Sequence, residues 1–187
     1  FFVRGDYFDE DRDNGTVLQI NSTVLRQFSS GFTWNGSSLG KFTSRFFGGT
    51  QQFNQQFSAV SSDRNSEFLS SSQRVESTFG GVSLDWLSSE FGIQKLQAGL
   101  DGRIVKGEVH ELIANSEDSG GRQKIFGIFL HDRIALSNRV DLTIGTRFDS
   151  WRNTELQSSL TRTENSWSPR VSLHYAASDS IQLFASA

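Results

Sequence analysis

Arg139-Val140-Asp141-Leu142-Thr143-Ile144-Gly145-Thr146-Arg147-Phe148-Asp149-Ser150-Trp151 decides the fold class. Its even positions read Val140, Leu142, Ile144, Thr146, Phe148 and Ser150, and the odd ones between them Asp141, Thr143, Gly145, Arg147 and Asp149. Four of those six even positions are strongly apolar and none of the five odd ones is, which is the alternation of a strand with one apolar and one polar face. A helix would gather Val140, Ile144, Phe148 and Trp151 but would turn Leu142 away, and Thr143, Gly145 and Thr146 are weak helix formers. The strand reading holds.

The same alternation runs outward in both directions. Leu96, Ala98, Leu100 and Ile104 oppose Gln97, Gly99, Asp101 and Arg103. Val171, Leu173, Tyr175 and Ala177 oppose Arg170, Ser172, His174 and Ala176. Val82, Leu84 and Trp86 make another face, as do Val24, Phe28, Phe32 and Trp34. Phe126, Ile128, Leu130, Ile134 and Leu136 mark one more, with Phe129 intruding on the opposite side. The pattern predicts roughly nine strands, several of about 12 residues or more, against a usual five or six.

The connections alternate in length. Asn35-Gly36-Ser37-Ser38, Ser88-Ser89-Glu90, Ser137-Asn138 and Ser178-Asp179 are tight-turn signals, because Gly, Asn, Asp and Ser reach turn conformations readily. Between them lie longer polar stretches at 9–16, 58–73, 110–122 and 152–165. Long connections confined to one end are the habit of an antiparallel up-and-down transmembrane β-barrel, which has short turns on the periplasmic side and longer loops outside. Trp34, Trp86 and Tyr175 precede short turns, while Tyr7, Trp151 and Trp167 adjoin long stretches, as two aromatic girdles would require.

Composition agrees with that class and removes others. The 187 residues are only 35% hydrophobic but 12% aromatic, with 17 Phe and 4 Trp, too many large rings for a disordered chain. A mean hydropathy of −0.40 fits strands that offer lipid only every second residue. No run is long and apolar enough for a transmembrane helix. There is no Cys, so disulfides and thiolate metal sites are excluded, and a net charge of −3 argues against nucleic acid as a partner. The chain opens and closes inside apolar-aromatic runs, without Met, which reads as a piece of a longer protein.

Gly127-Ile128-Phe129-Leu130-His131-Asp132-Arg133-Ile134 is similar to a recurrent strand of TonB-dependent outer-membrane receptors, of form G-hydrophobic-F-hydrophobic-x-D. Leu142-Thr143-Ile144-Gly145-Thr146-Arg147-Phe148-Asp149 resembles the same family's L-T-x-G-x-R-aromatic-D strand, and Trp167-Ser168-Pro169-Arg170-Val171 its aromatic-S-P-R segment. The chain's single Pro is in place there. The stretch 7–23, with Asp13-Asn14-Gly15-Thr16 and Asn21-Ser22-Thr23, also resembles such barrels. The resemblance covers nearly all of 1–187. It implies a Gram-negative outer-membrane receptor that binds a scarce ligand, a ferric siderophore or cobalamin-like compound, and imports it with energy from TonB. The family's 22 strands, lumen plug and TonB-contacting box are not matched here, so 1–187 is expected to be part of a barrel without its plug. Expected partners are the lipid bilayer, a small-molecule metal chelate and, through the missing plug, the TonB complex. Two alternatives stay open: a passive porin-like channel, and a soluble all-β ligand-binding domain such as a sandwich.

Residues for chemistry are few. Asp101, Arg103, Asp141, Arg147, Asp149 and Arg170 fall on the polar face and become lumen candidates, of which Asp101, Arg103, Arg147, Asp149 and Arg170 are the candidate ligand contacts. Structural ion pairing or contact with a plug competes with that role, because lumen charge is the default in barrels. Asp9, Asp11 and Asp13 form an acidic loop candidate for a cation, but counting from Asp9 puts Asn14 and Ile20 where an EF-hand needs Gly and Glu. His110, His131 and His174 lack metal-ligand spacing. Gly48-Gly49, Gly80-Gly81 and Gly120-Gly121 lack the phosphate-loop Lys and read as strand bends or loop turns. No catalytic constellation and no cofactor motif is visible, so neither enzyme activity nor a cofactor is expected.

Overall fold

The computed structural model describes residues 1–113 and 118–187. They form one antiparallel sheet in chain order, with each strand hydrogen-bonded to its sequence neighbour. The strands are β1 (Phe2–Asp13), β2 (Ile20–Gly36), β3 (Gly40–Val60), β4 (Glu67–Leu87) and β5 (Gln94–Glu111), then β6 (Ser119–Ser137), β7 (Val140–Glu155), β8 (Thr161–Ala176) and β9 (Gln182–Ser186). The described residues contain no helix. β1 pairs only with β2 and β9 only with β8, so the sheet is an open wall.

Four turns fall where the tight-turn signals stand, at 37–39, 88–93, 138–139 and 177–181. At the other end the polar stretches are mostly strand. The connections there shrink to 14–19, 61–66, 112–118 and 156–160, and the remainder continues the ladder. Period-2 hydrophobicity stops at the lipid boundary, whereas backbone pairing continues into water because it needs no apolar side chain. β3 and β4 are therefore 21 residues each, about twice what a bilayer requires. Residues 114–117, within the stretch read as a loop at 110–122, lie outside the described residues.

Register places the two faces. Leu100 on β5 pairs with Leu84 on one side and Ile128 on the other, and Ile128 pairs with Phe148, itself opposite Trp167. Partners in an antiparallel ladder project to the same side, so these rows build one continuous apolar face. The next residue along each strand builds the polar face, including Asp101, Gly127 and Asp149.

No described hydrophobic side chain is buried. Ile128 is 47% exposed and Leu130 51%, in mid-strand. The chain shows 12950 Å² of surface, whereas a globular monomer of 20.9 kDa shows about 9,000 Å². The sandwich fold is thereby overturned: a sandwich stacks two sheets, and the described strands form a single sheet in chain order.

The apolar band does not follow the hydrogen-bonded rows. Where β2 carries Phe28, the same row carries Gly48, Gly80, Ile104, Lys124, Arg152 and Thr163. On β8 the upper border is Trp167, level with Phe148 and not with Arg152. The band slips by about four to six residues over the six strand spacings from β2 to β8, which at 3.3 Å per residue and 4.8 Å per strand is a tilt of about 25–35°. Lipid lies level while the strands lean across it, close to the roughly 35–45° of transmembrane barrels.

Candidate functional site

On the polar face, Asp101, Gly127 and Asp149 stand side by side on β5, β6 and β7. Arg147, two residues from Asp149, bends back between the carboxylates. Its Nε donates to both oxygens of Asp149 at 2.8 and 2.9 Å, and its Nη2 lies 2.8 Å from Asp101 Oδ1. Gly127 is the floor of this arrangement, since a Cβ there would collide with the guanidinium. Asp149 is 13% exposed and Asp101 38%, so the cluster is sheltered on one side and wet on the other.

A second network lies nearer the short turns. Arg133 Nη2 donates to Asp141 at 2.7 Å, His174 Nδ1 lies 3.5 Å from the same carboxylate, and His174 Nε2 is 3.2 Å from Gln182 Oε1. This links β6, β7, β8 and β9 on the polar face. Arg103 and Arg170 share that face but make no hydrogen bond or ion pair among the described residues. The five candidate contacts therefore divide: Asp101, Arg147 and Asp149 come together, and Arg103 and Arg170 project unpaired.

Glycine also seats rings. β3 and β4 each contain Phe-Gly-Gly, at 47–49 and 79–81, and the two triplets pair head to tail. A Cβ on Gly81 would come 2.5 Å from Phe47 Cζ, and one on Gly49 2.8 Å from Phe79 Cζ. Each ring occupies the space over the other triplet's last glycine. Phe129 lies over Gly99 and His131 over Gly145 in the same way, with the Phe129 and His131 rings 5.2 Å apart. The doublets Gly48-Gly49, Gly80-Gly81 and Gly120-Gly121 are thus in strands and form no turns, which corrects the turn reading. Sequence reasoning missed these aromatic seats. Their signal was present in the repeated Phe-Gly-Gly and in Phe129, the ring that broke the alternation.

Asp9, Asp11 and Asp13 lie within β1 and form no loop. Among the described residues no group of three acidic or histidine side chains is placed to hold a metal ion, and these three are no exception. Asp9 accepts a hydrogen bond from the Tyr7 hydroxyl at 2.7 Å.

The rings of the apolar face mark its borders. Near the short turns Trp34, Phe42 and Trp86 stack across three strands, with centroids 5.6 and 6.3 Å apart, and the Trp86 indole donates to the Leu39 carbonyl at 2.7 Å. At the opposite border Trp167 packs 5.0 Å from Phe148. Trp151 is not part of either girdle. It pairs with Ile125 and Glu164 on the polar face, because its odd position puts it with Arg147 and Asp149.

The strand wall has a lipid-type face, a charged reverse face and ringed borders, and its amino-acid sequence matches a known family model. The model, described as TonB dependent receptor-like, beta-barrel, covers residues 2–187. The chain belongs to that family. The polar face is therefore the barrel lumen, and the wall stands in the outer membrane of a Gram-negative bacterium. Among curated proteins none matches the chain. Solved structures with the same fold include the alcaligin outer-membrane receptor FauA from Bordetella pertussis, 16% identical with a TM-score of 0.72 over 98% of this chain and 31% of that one. The copper transporter OprC is 14% identical with a TM-score of 0.71, over 90% of this chain and 30% of that one. BauA, the ferric preacinetobactin receptor from Acinetobacter baumannii, is 13% identical with a TM-score of 0.70 and the same coverage. The chain spans about a third of the length of these structures.

Proposed function

We propose that this wall belongs to a receptor that captures a scarce metal chelate, a ferric siderophore or cobalamin-like compound, outside the cell and imports it with TonB-supplied energy. The plug that couples to TonB is then contributed by other parts of the protein. The carrying observation is the charged lumen face of a chain in this receptor family. Within it, the Asp101–Arg147–Asp149 cluster is internally neutralised to a single negative charge and holds three strands in register. Of the five candidate contacts, Arg103 and Arg170, exposed and unpaired, are the two free to meet an anionic chelate or the plug.

The test is uptake of iron-55 chelates and labelled cobalamin by cells carrying the full-length receptor, with and without TonB. Uptake of one chelate that requires both the receptor and TonB supports the reading. Passive, TonB-independent flux of many small solutes would replace it with the porin-like channel. The double substitution Arg103→Gln, Arg170→Gln is expected to reduce uptake while leaving the heat-stable folded band on gels intact.

A further inference from the structure

Where Gly follows Asn or Asp, its backbone nitrogen can attack the side chain ahead of it, because no Cβ shields that nitrogen. The sequence holds three such dipeptides, Asn14-Gly15, Asn35-Gly36 and Asp101-Gly102, and the fold treats them differently. Asn35 pairs with Lys41 and Gly36 with Gly40, inside the ladder of β2 and β3. Asp101 and Gly102 lie in mid-β5 and are paired on both sides, with β4 and with β6. Closing a ring from the glycine nitrogen onto the side chain needs a rotation about the preceding ψ, away from the strand value of about +135°. In a ladder that rotation breaks the hydrogen bonds on either side, so both sites are closed unless the strands open.

Asn14 and Gly15 stand outside the ladder. They follow β1 directly, in the connection 14–19, at the long-loop end that faces outside the cell. Gly15 has a φ of 94°, so the chain has already left extended backbone there. Its N–H makes no hydrogen bond among the described residues, and a Cβ on it would meet nothing within 4 Å. The Asn14 side chain is exposed and also unbonded among the described residues, while the Asn14 N–H is anchored on the Gln19 carbonyl at 2.9 Å. The reacting nitrogen and the reacting carbon are therefore both free, on a residue whose own amide is held.

We propose that Asn14 is a site of spontaneous deamidation, the one of the three dipeptides that the folded receptor leaves reactive. The Gly15 nitrogen bonds to Asn14 Cγ, the Cγ–Nδ2 bond breaks, and the side-chain nitrogen leaves as ammonia with the proton of the Gly15 N–H. Water then opens the succinimide: cleavage at the Cγ carbonyl gives aspartate, and cleavage at the main-chain carbonyl gives isoaspartate. Nothing is oxidised or reduced, and water is the only co-reactant. Either product adds a carboxylate to the four of Asp9, Glu10, Asp11 and Asp13, where Arg12 is the single cation and is already paired with Glu10 at 2.7 Å. Isoaspartate also routes the main chain through the side chain, one carbon longer, just after Asp13, the last residue of β1 in register with β2. Leu18 of the same connection donates its N–H to Glu67 of β4 at 3.2 Å, so the change reaches a second extracellular hairpin. The inference rests on the fold of the wall and is independent of what the receptor imports.

The test incubates the full-length receptor, folded in phospholipid vesicles, at mildly alkaline pH and samples it over days. Each sample is digested, and the peptides holding positions 14, 35 and 101 are compared by mass spectrometry. Isoaspartate, which at Asp101 brings no change in mass, is identified by retention time and fragment ions. In the folded receptor Asn14 is expected to convert at least about tenfold faster than Asn35 or Asp101, because opening of the ladder limits the other two. In receptor unfolded in urea, Asn14 and Asn35 are expected to convert at similar rates. Asn14→Gln needs a larger ring and is expected to abolish conversion in its peptide while keeping the heat-stable folded band. Conversion of Asn35 or Asp101 as fast as Asn14 in the folded receptor overturns the proposal, and so does an Asn14 that stays intact there. The same preference for Asn14 in urea as in vesicles would assign it to local sequence and overturn the selection by the fold.

Discussion

Leu100, Ile128 and Phe148 form one row across β5, β6 and β7, and Asp101, Gly127 and Asp149 form the row behind it. The two rows belong to the same strands and lie one residue apart, yet they are built on opposite rules. The outer row fills its width with apolar side chains that touch lipid, and its tolerance is set by the bilayer. The inner row contains a glycine whose missing side chain lets Arg147 lie flat between two carboxylates, and its tolerance is set by geometry. One strand thus serves two solvents only because its period is two.

The largest effect is expected from breaking the outer row. Ile128→Arg places a charge within the apolar band and is expected to cost about 2–4 kcal/mol. Gln97→Arg, exposed on the lumen face of the adjacent strand β5, is expected to cost less than about 1 kcal/mol, since that face is wet. Urea unfolding of the full-length receptor in phospholipid vesicles reads both, and equal costs would show that the faces are misassigned.

The inner row is next. Arg147→Met leaves Asp101 and Asp149 facing each other without their cation and is expected to cost about 1–3 kcal/mol, reduced from the fully buried case by the water that reaches Asp101. Asp101→Asn added to Arg147→Met is expected to recover part of that loss in a double-mutant cycle. An additive result would separate Asp101 from the cluster.

Glycine seats sharpen the comparison further. Gly49→Ala brings a Cβ within 2.5 Å of the Arg26 carbonyl, which is backbone, and overpacking of this kind costs about 1–3 kcal/mol. The atoms nearest a Cβ on Gly127 belong to the movable Arg147 and Asp149 side chains, and Gly127→Ala is expected to cost about 1 kcal/mol, with the ion pair lost. The reverse order would mean that the guanidinium, and not the ladder, sets the tolerance.

The smallest effect lies beyond both rows. His110, past the apolar band on the extracellular side, is raised above its ordinary pKa by the hydrogen bond to Asp118 at 2.7 Å and by that carboxylate's charge. A raised histidine stabilises the fold fully below its unfolded pKa of about 6.5, and the contribution fades as pH climbs through the higher folded value. A slight drop in the unfolding midpoint across that window, absent in His110→Asn, is the expected result.

Much of this was written locally. The alternation at 139–151 named a strand and sorted Asp141, Arg147 and Asp149 from Leu142, Ile144 and Phe148 without reference to any partner. The same rule placed Trp151 inside, and only its proximity to a polar stretch drew it to the girdle. The acidic run at Asp9, Asp11 and Asp13 was misread as a loop because charged strand tails in water keep no hydrophobic period.

Alone, then, the sequence determined the approximate number of strands, the four short turns and, for the strands with clear alternation, which side meets lipid, because a period of two is a property of neighbouring residues. It also held the family's motifs in order along the chain. Tertiary structure alone decided that Asp101 meets an arginine 46 residues later, that Phe47 and Phe79 lie on each other's glycines, and that Lys124 and Arg152 stand opposed across β6 and β7. Those meetings depend on register, which is fixed by the pairing of one whole strand against the next and is written in no single segment.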